Sequence, residues 1–460
     1  MKTALFIDIG STYTKAVAVD MEKEEVIACA KAPTTVMTDV TIGVNNAIAK
    51  IKEQTGRENF EVFRACSSAA GGLRMVSSGL VRDLTAEAAR QAALSAGAKV
   101  INVYANKLNA HEAAEILEIK PDIFMLAGGT DGGNSEVILH NAKIIADIPL
   151  TFPVIISGNK AVADEVQKIL EAGGKPAVQC ENVMPEFGKL NINPSREAIR
   201  QVFLDRIINA KGLKAVQDMV QGDIIPTPAS VIEAIQLFAR GTKRSLGIGE
   251  MVAVDIGGAT TDIYSATNGC PVLSGAVLKG IPHPATKRSV EGDLGMRWNA
   301  QSIVNLTEED FFCEYANVST EKLRATMAKY KENPELLPED EEEKRIDLQL
   351  ARQAAFIAMT RHAGSVEKIF TPLGESYLQT GKNLYDIQFV LGTGGSIINN
   401  PNPKEILSGV EATPKEPFAL MPKKPKYMLD KKYILSAMGL LSQVDPEMAL
   451  RIMKKEMVNL

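Results

Sequence analysis

Ala4-Leu-Phe-Ile-Asp-Ile-Gly-Ser-Thr-Tyr-Thr-Lys15 stands at the start of the chain, and Ala253-Val-Asp-Ile-Gly-Gly-Ala-Thr-Thr-Asp262 repeats its pattern in the second half. In each stretch an apolar run ends in Asp-Ile-Gly, breaks at small polar residues and is followed by a second strand-like run, Thr14 to Asp20 or Asp262 to Ala266. Apolar runs punctuated by glycine in this way predict β-hairpins. One hairpin is common in any α/β protein. A chain that opens twice in the same way predicts two related lobes rather than a solenoid of short repeats.

Outward from the hairpins, strand and helix patterns alternate. Helices are predicted at Asn45–Glu53, at Thr85–Gly97 with Thr85 as cap, at Ala110–Leu117 and at Ala161–Ala172. Strands are predicted at Phe60–Ala65, Val100–Val103, Ile123–Ala127 and Val154–Ser157. The fold class is therefore α/β. Each half also holds an apolar strand that breaks into paired glycines, Met125-Leu-Ala-Gly-Gly-Thr130 and Val390-Leu-Gly-Thr-Gly-Gly-Ser396, which read as counterparts. The expected division is a first lobe at 1–135, an extension of it at 136–246 and a second lobe at 247–460. Residues 335–345 form a charge run expected to be a solvated loop or helix start. Thr413–Lys432, with its prolines and Lys423-Lys-Pro-Lys426, is expected to be an exposed strap.

Composition narrows the function. The 460 residues suffice for about two to four domains. Lys and Arg number 51 against 56 Asp and Glu, a net charge of -5, and aromatic content is 5%, so nucleic-acid binding is not expected as the main role. Cys29, Cys66, Cys180, Cys270 and Cys313 show no CxxC spacing, and neither a signal-peptide apolar region nor a membrane-length apolar run occurs. A reducing, cytoplasmic setting follows as the expectation. His111, His140, His283 and His362 have no metal-ligand spacing.

The hairpins carry the chemistry. Gly10, Gly257 and Gly258 permit tight turns whose amides a phosphate can approach without a Cβ in the way. Ser11, Thr12, Thr260 and Thr261 offer hydroxyl donors, and Lys15 a point charge. Asp8 and Asp255 repel phosphate, but suit the water shell of Mg²⁺, which takes few carboxylates and keeps several waters. Other residues have plainer readings. Cys66-Ser-Ser-Ala-Ala-Gly-Gly-Leu73 allows close packing at a strand end, with Ser67 and Ser68 as lesser candidates; Asp131, Glu291 and Asp293 read as turn or helix caps.

The motif set resembles that of the actin, sugar kinase and heat-shock-70 superfamily of ATPases. Asp8 to Lys15 is similar to its first phosphate motif, Asp255 to Asp262 to its second, and Leu391-Gly-Thr-Gly-Gly-Ser396 to its adenosine motif. Within that superfamily the chain most resembles the MutL accessory family of adenosylcobalamin-dependent glutamate mutase. The residues that carry this likeness are Asp8–Lys15, Cys66–Leu73, Leu126-Ala-Gly-Gly-Thr-Asp-Gly-Gly133 and Val290-Glu-Gly-Asp-Leu-Gly-Met-Arg297.

The resemblance implies two ribonuclease-H-like lobes flanking a nucleotide cleft, with ATP and Mg²⁺ as cofactors. It implies that Asp8 and Asp255 hold Mg²⁺ through water, that Asp255 or Asp262 orients the attacking water, and that Gly392, Gly394, Gly395 and Ser396 meet the adenosine. The partner it implies is an adenosylcobalamin-dependent mutase, glutamate mutase first and ornithine or lysine aminomutase next. The chain would reactivate that enzyme rather than carry the cofactor, since no Asp-x-His-x-x-Gly occurs. The same fold also accommodates a small-molecule kinase or a nucleotide-controlled filament protein. Asp262, which completes a paired-Asp second motif, weighs toward hydrolysis.

Overall fold

Every residue of β1 (Thr3–Ile9) is buried, as befits a strand with neighbours on both sides and cover on both faces. In the computed structural model, which describes residues 2–10, 12–35, 39–68, 73–205, 213–269, 271, 276–372 and 374–460, β1 turns back into β2 (Tyr13–Asp20) and then β3 (Glu25–Pro33), both pairs antiparallel. β4 (Val62–Ser67) lies parallel to β1 on its other side. The chain then leaves this sheet. β5 (Arg74–Gly79), β6 (Lys99–Ala105), β7 (Ile123–Leu126), β8 (Val154–Ile156) and β9 (Ala177–Gln179) build a separate parallel sheet in the order β6-β5-β7-β8-β9. Only afterwards does β10 (Ile225–Pro226) return to complete the first sheet, ordered β10-β4-β1-β2-β3.

The second half repeats the first arrangement. β11 (Met251–Ile256) turns into β12 (Thr261–Ala266); β13 (Val277–Lys279) stands apart from this pair, and β14 (Thr286–Glu291) joins β12 antiparallel. β15 (Ser365–Thr371) and β16 (Gly374–Thr380) form a hairpin that takes β13 as third strand. β17 (Phe389–Thr393) and β18 (Lys426–Leu429) then add parallel to β11, and β19 (Val458–Asn459) closes the edge. The order β14-β12-β11-β17-β18 has the connectivity of β3-β2-β1-β4-β10: three antiparallel strands, then two parallel to the first. This is the ribonuclease-H-like order, present twice.

By internal packing the chain divides into two units, Met1–Ala234 with Gly280–Pro282 and Ser436–Ile452, and Ile235–Lys279 with His283–Leu435 and Met453–Leu460. In the first, Leu5, Ile7 and Ile9 pack with Val44, Ala47 and Ile51 of the helix Val40–Thr55. In the second, Val252, Val254 and Ile256 pack with Leu350, Ala354 and Ala358 of the helix Glu341–His362. The parallel sheet draws strands from both 1–135 and 136–246, because β7 and β8 pair at Phe124↔Val154.

Three local expectations are corrected. Met125–Thr130 is not the counterpart of Val390–Ser396: β17 sets Thr393 opposite Asp255, and the strand in that place beside Asp8 is β4, which sets Cys66 there. The two glycine-ended strands have the same local pattern, but pairing partners, not local pattern, fix a strand's place. Thr85 does not cap a helix; its hydroxyl accepts the Leu80 and Val81 amides, and the helix itself is Glu87–Ser95. Thr413–Lys432 is not all strap, since Lys426–Leu429 enters the sheet with Tyr427, Met428 and Leu429 buried. The charge run behaves as expected of a helix start, with Asp340 capping Glu341–His362.

Candidate functional site

At the first hairpin Gly10 donates its amide to the Tyr13 carbonyl at 3.1 Å, and a Cβ on Gly10 would stand 2.6 Å from that oxygen. A turn this tight admits only glycine. Just before it, Asp8 is buried, and its carboxylate accepts Thr227 Oγ1 at 2.7 Å and Cys66 Sγ at 3.6 Å on one oxygen and Ser436 Oγ at 3.2 Å on the other. Thr227 opens the helix Thr227–Arg240 immediately after β10, and Ser436 lies in the first turn of Leu435–Ser442. Helix starts favour an anion. Burial, and secondarily the Asp8 charge, push the Cys66 thiol well above its ordinary range, so it is an inert neighbour rather than a thiolate. Lys15 faces Asp8 across β1 and β2, and Thr12 is exposed. Ser11 lies outside the described residues. Ser67 and Ser68 brace the end of β1, the Ser67 hydroxyl and the Ser68 amide both reaching the Ile9 carbonyl.

At the second hairpin the carbonyls of the turn are tied down from one side. Gly257 donates to the Thr260 carbonyl at 2.9 Å. The Gly257 carbonyl accepts the Met296 amide at 3.1 Å, and the Gly258 carbonyl accepts the amides of Arg297 and Trp298 at 3.0 and 3.1 Å. In a trans peptide the C=O and the following N–H point opposite ways, and no cis peptide occurs among the described residues. Tying both carbonyls to residues 296–298 therefore turns the amides of Gly258 and Ala259 to the opposite side, where both residues are exposed. Two successive outward amides are the core of an anion nest. Gly295 is needed for the approach, since a Cβ there would lie 2.4 Å from the Ala259 carbonyl carbon.

Asp255 is half-buried and faces Asp262 on β12 and Thr393 on β17. Gly394 comes so close that a Cβ would lie 2.5 Å from the Asp255 carboxylate and 2.6 Å from the Ile256 carbonyl, and its φ of 89° is one that favours glycine. Gly394 thus delivers the last turn directly to Asp255. Gly395 is exposed and Ser396 half-buried in the short helix Gly395–Ile398, while Gly392 faces inward against Ile397 and Leu407.

Asp262 differs from Asp255 in its surroundings. One of its oxygens is held by Arg288 at 2.7 Å through Nε and 2.5 Å through Nη2, and the other accepts the Thr260 hydroxyl at 3.2 Å. Arg288 is buried; burial disfavours its charge, and Asp262 more than restores it. The Thr261 hydroxyl is also buried and donates to the Leu294 carbonyl at 2.7 Å, so it braces the turn from beneath. Glu291 and Asp293 are not helix caps: both are held by Arg361, at 2.7 Å and at 2.8 and 2.9 Å. Asp131 does act at a helix start, its carboxylate accepting the amide of Lys160, the first residue of the short helix Lys160–Val162, at 3.2 Å. Burial pushes its carboxyl up, but bonds from Asn182 and Lys160 more than reverse this and hold it below its ordinary range. It belongs to the loop after β7, in the separate parallel sheet.

The residues sequence reasoning missed are Thr227, Ser436, Arg288 and Arg361, each of which acts across a long sequence separation with no local pattern to mark it; Arg297 lies in the quoted Val290–Arg297 block, which assigned it no role. Among the described residues no group of three His, Cys, Asp or Glu side chains is set to hold a metal ion. The donor set suits Mg²⁺, which takes one or two carboxylates and completes its octahedron from water and phosphate.

Two sheets of ribonuclease-H-like order, each bearing an Asp-Gly hairpin, define an α/β protein of the actin, sugar kinase and heat-shock-70 fold class. The family described as MutL protein matches residues 4–457, and Protein MutL of Clostridium tetanomorphum is 45% identical over 460 residues, which is 100% of both chains. The chain belongs to the MutL family. Among solved structures it is similar to the activator of the 2-hydroxyisocaproyl-CoA dehydratase from Clostridium difficile with bound ADPNP, at 9% identity and TM-score 0.33 over 98% of this chain and 97% of that one. It is also similar to xylulose kinase from Lactobacillus acidophilus, at 11% identity and TM-score 0.37 over 100% and 93%. No described helix is long and apolar enough to cross a membrane.

Proposed function

We propose that this protein binds and hydrolyses ATP·Mg²⁺ and uses the cycle to reactivate an adenosylcobalamin-dependent mutase, glutamate mutase being the first candidate and ornithine or lysine aminomutase the next. The observation that carries the nucleotide part is the second hairpin, whose tied carbonyls leave the Gly258 and Ala259 amides turned outward beside Asp255. Family membership supports the accessory role.

Bound Mg²⁺ would draw negative charge from the phosphates and order the water around them. Asp255 would hold the metal's water shell and, of the two acids at this hairpin, would orient the attacking water, because the charge of Asp262 is balanced by Arg288 and its second oxygen is engaged by the Thr260 hydroxyl. Asp8 would hold metal-bound water through the lone pair that remains; a carboxylate offers about four, and Thr227, Ser436 and Cys66 engage three of them while fixing its rotation. Gly10, Gly257 and Gly258 keep the turns low enough for phosphate, with Lys15 and the hydroxyls of Ser11, Thr12 and Thr260 as further donors. Gly394, Gly395 and Ser396 form the adenosine side.

To take a partner from 1:99 to 99:1 open, the ATP and ADP states must differ in affinity for it by about 5.5 kcal/mol. The reading is tested by loading the cognate mutase with cyanocobalamin and following its replacement by adenosylcobalamin. Exchange that needs both this protein and ATP is the expected result; exchange at one rate in every arm overturns the proposal.

A further inference from the structure

We infer that Arg297 is a positioning residue for the second phosphate turn, acting through the backbone of residues 296–298; the inference rests on the nucleotide reading above for its consequence, but not for its geometry. Arg297 Nη1 bonds the Met296 carbonyl at 3.0 Å. That carbonyl heads the peptide whose amide, on the other side, is donated to Gly258 at 3.0 Å. The guanidinium thus sets the plane of the peptide that in turn sets the plane of the Gly258–Ala259 peptide, and with it the direction of the outward Ala259 amide.

The guanidinium is itself fixed. It is largely buried, pairs with Asp347 at 2.7 Å, bonds the Leu336 carbonyl at 3.2 Å and lies over the Tyr330 ring with 4.5 Å to the centroid. At the other end of the same strap, Glu291 and Asp293 are clamped by Arg361. Asp347 and Arg361 belong to one helix, Glu341–His362, about 20 Å apart along its axis. The strap is therefore held at both ends to a single rigid rod, with the phosphate turn resting on its C-terminal end. A displacement of the turn by an anion is carried into that helix, and any force on the helix reorients the turn's amides. Trp298, the one tryptophan in the sequence, is 70% exposed and donates its amide to the same Gly258 carbonyl, so its emission reports on this joint.

The test uses the full chain with Arg297→Met, Arg297→Lys and Asp347→Asn. The first measurement needs no nucleotide: amide hydrogen exchange in peptides covering 255–262 and 292–299. Exchange faster by about tenfold or more in both segments for Arg297→Met, partly restored in Arg297→Lys, with other segments unchanged, is expected. Exchange equal to that of the parent, or raised throughout the chain, overturns the inference. The second measurement is ATP·Mg²⁺ turnover with Trp298 emission. A KM raised about tenfold in Arg297→Met with kcat nearly kept, and a shifted emission maximum, is expected; a loss of kcat alone overturns it. Should the parent bind no ATP while exchange at the two segments still responds, the nucleotide reading falls and the positioning of the turn by Arg297 stands.

Discussion

The two hairpins begin from the same sequence pattern and reach opposite solutions for their carboxylates. At Asp8 the acid is buried and held by neutral donors, Thr227, Ser436 and Cys66, and the residue across the hairpin is Lys15. At Asp255 the acid is half-buried, the residue in the register position of Lys15 is Asp262, and the cation comes from a third strand as Arg288. One hairpin carries its own cation beside the acid; the other imports one and uses it to neutralise the second acid. The lesson is that a shared Asp-Gly turn specifies backbone shape, while the charge balance around it is set separately by tertiary neighbours.

This contrast can be broken most sharply at Arg288. Arg288→Met leaves Asp262 buried without its partner, and such a loss costs about 3–5 kcal/mol, measured as a drop in the free energy of urea unfolding. The equivalent change at the first hairpin, Lys15→Met, should cost far less, and equal costs would erase the distinction. Next comes Asp255→Ala, which should lower the ATP hydrolysis rate by about two orders of magnitude, the scale of losing one preorganised group, with stability nearly kept. Asp8→Ala should impair hydrolysis too, but also destabilise by about 1–3 kcal/mol, because buried Thr227 and Ser436 hydroxyls lose their acceptor. A parental hydrolysis rate in either Asp variant would remove the assigned role.

The smallest effect is a pH slope. Lys382 is buried with its ammonium on the Ala285 carbonyl, and burial lowers its pKa to about 7. The unfolded chain, where a lysine keeps its ordinary pKa, binds the proton more tightly, so the charge opposes folding most below pH 7 and the penalty fades as pH rises from about 7 toward 10. Stability should therefore climb across that window, by less than about 1.4 kcal/mol per pH unit for one group. Lys382→Met should flatten the climb; a slope unchanged in that variant would exclude Lys382 as its origin.

The hairpins and their acids were legible in the sequence because a strand of uniform burial, a glycine and a returning strand are all local signals. β1, β2 and β12 form within a residue or so of the expected bounds. Which strand lies beside Asp8 was not legible, since β7 and β17 share the glycine-ended pattern while the strand that takes the place is β4, which ends in Ala-Cys-Ser, and only pairing shows it. β10 spans two residues and offers no pattern at all. The carbonyl ties at Gly257 and Gly258, and the clamps by Arg297 and Arg361, are contacts between segments far apart in the chain, to which local periodicity is blind.

The bond from Ser436 to Asp8 joins residues 428 positions apart. During synthesis the amino-terminal sheet waits for β10 to cover its flank, and the acid at its centre waits longer still, until Ser436 has been made. A product ended before Ser436 would thus leave one Asp8 oxygen without that hydroxyl donor even if its opening strands had already paired.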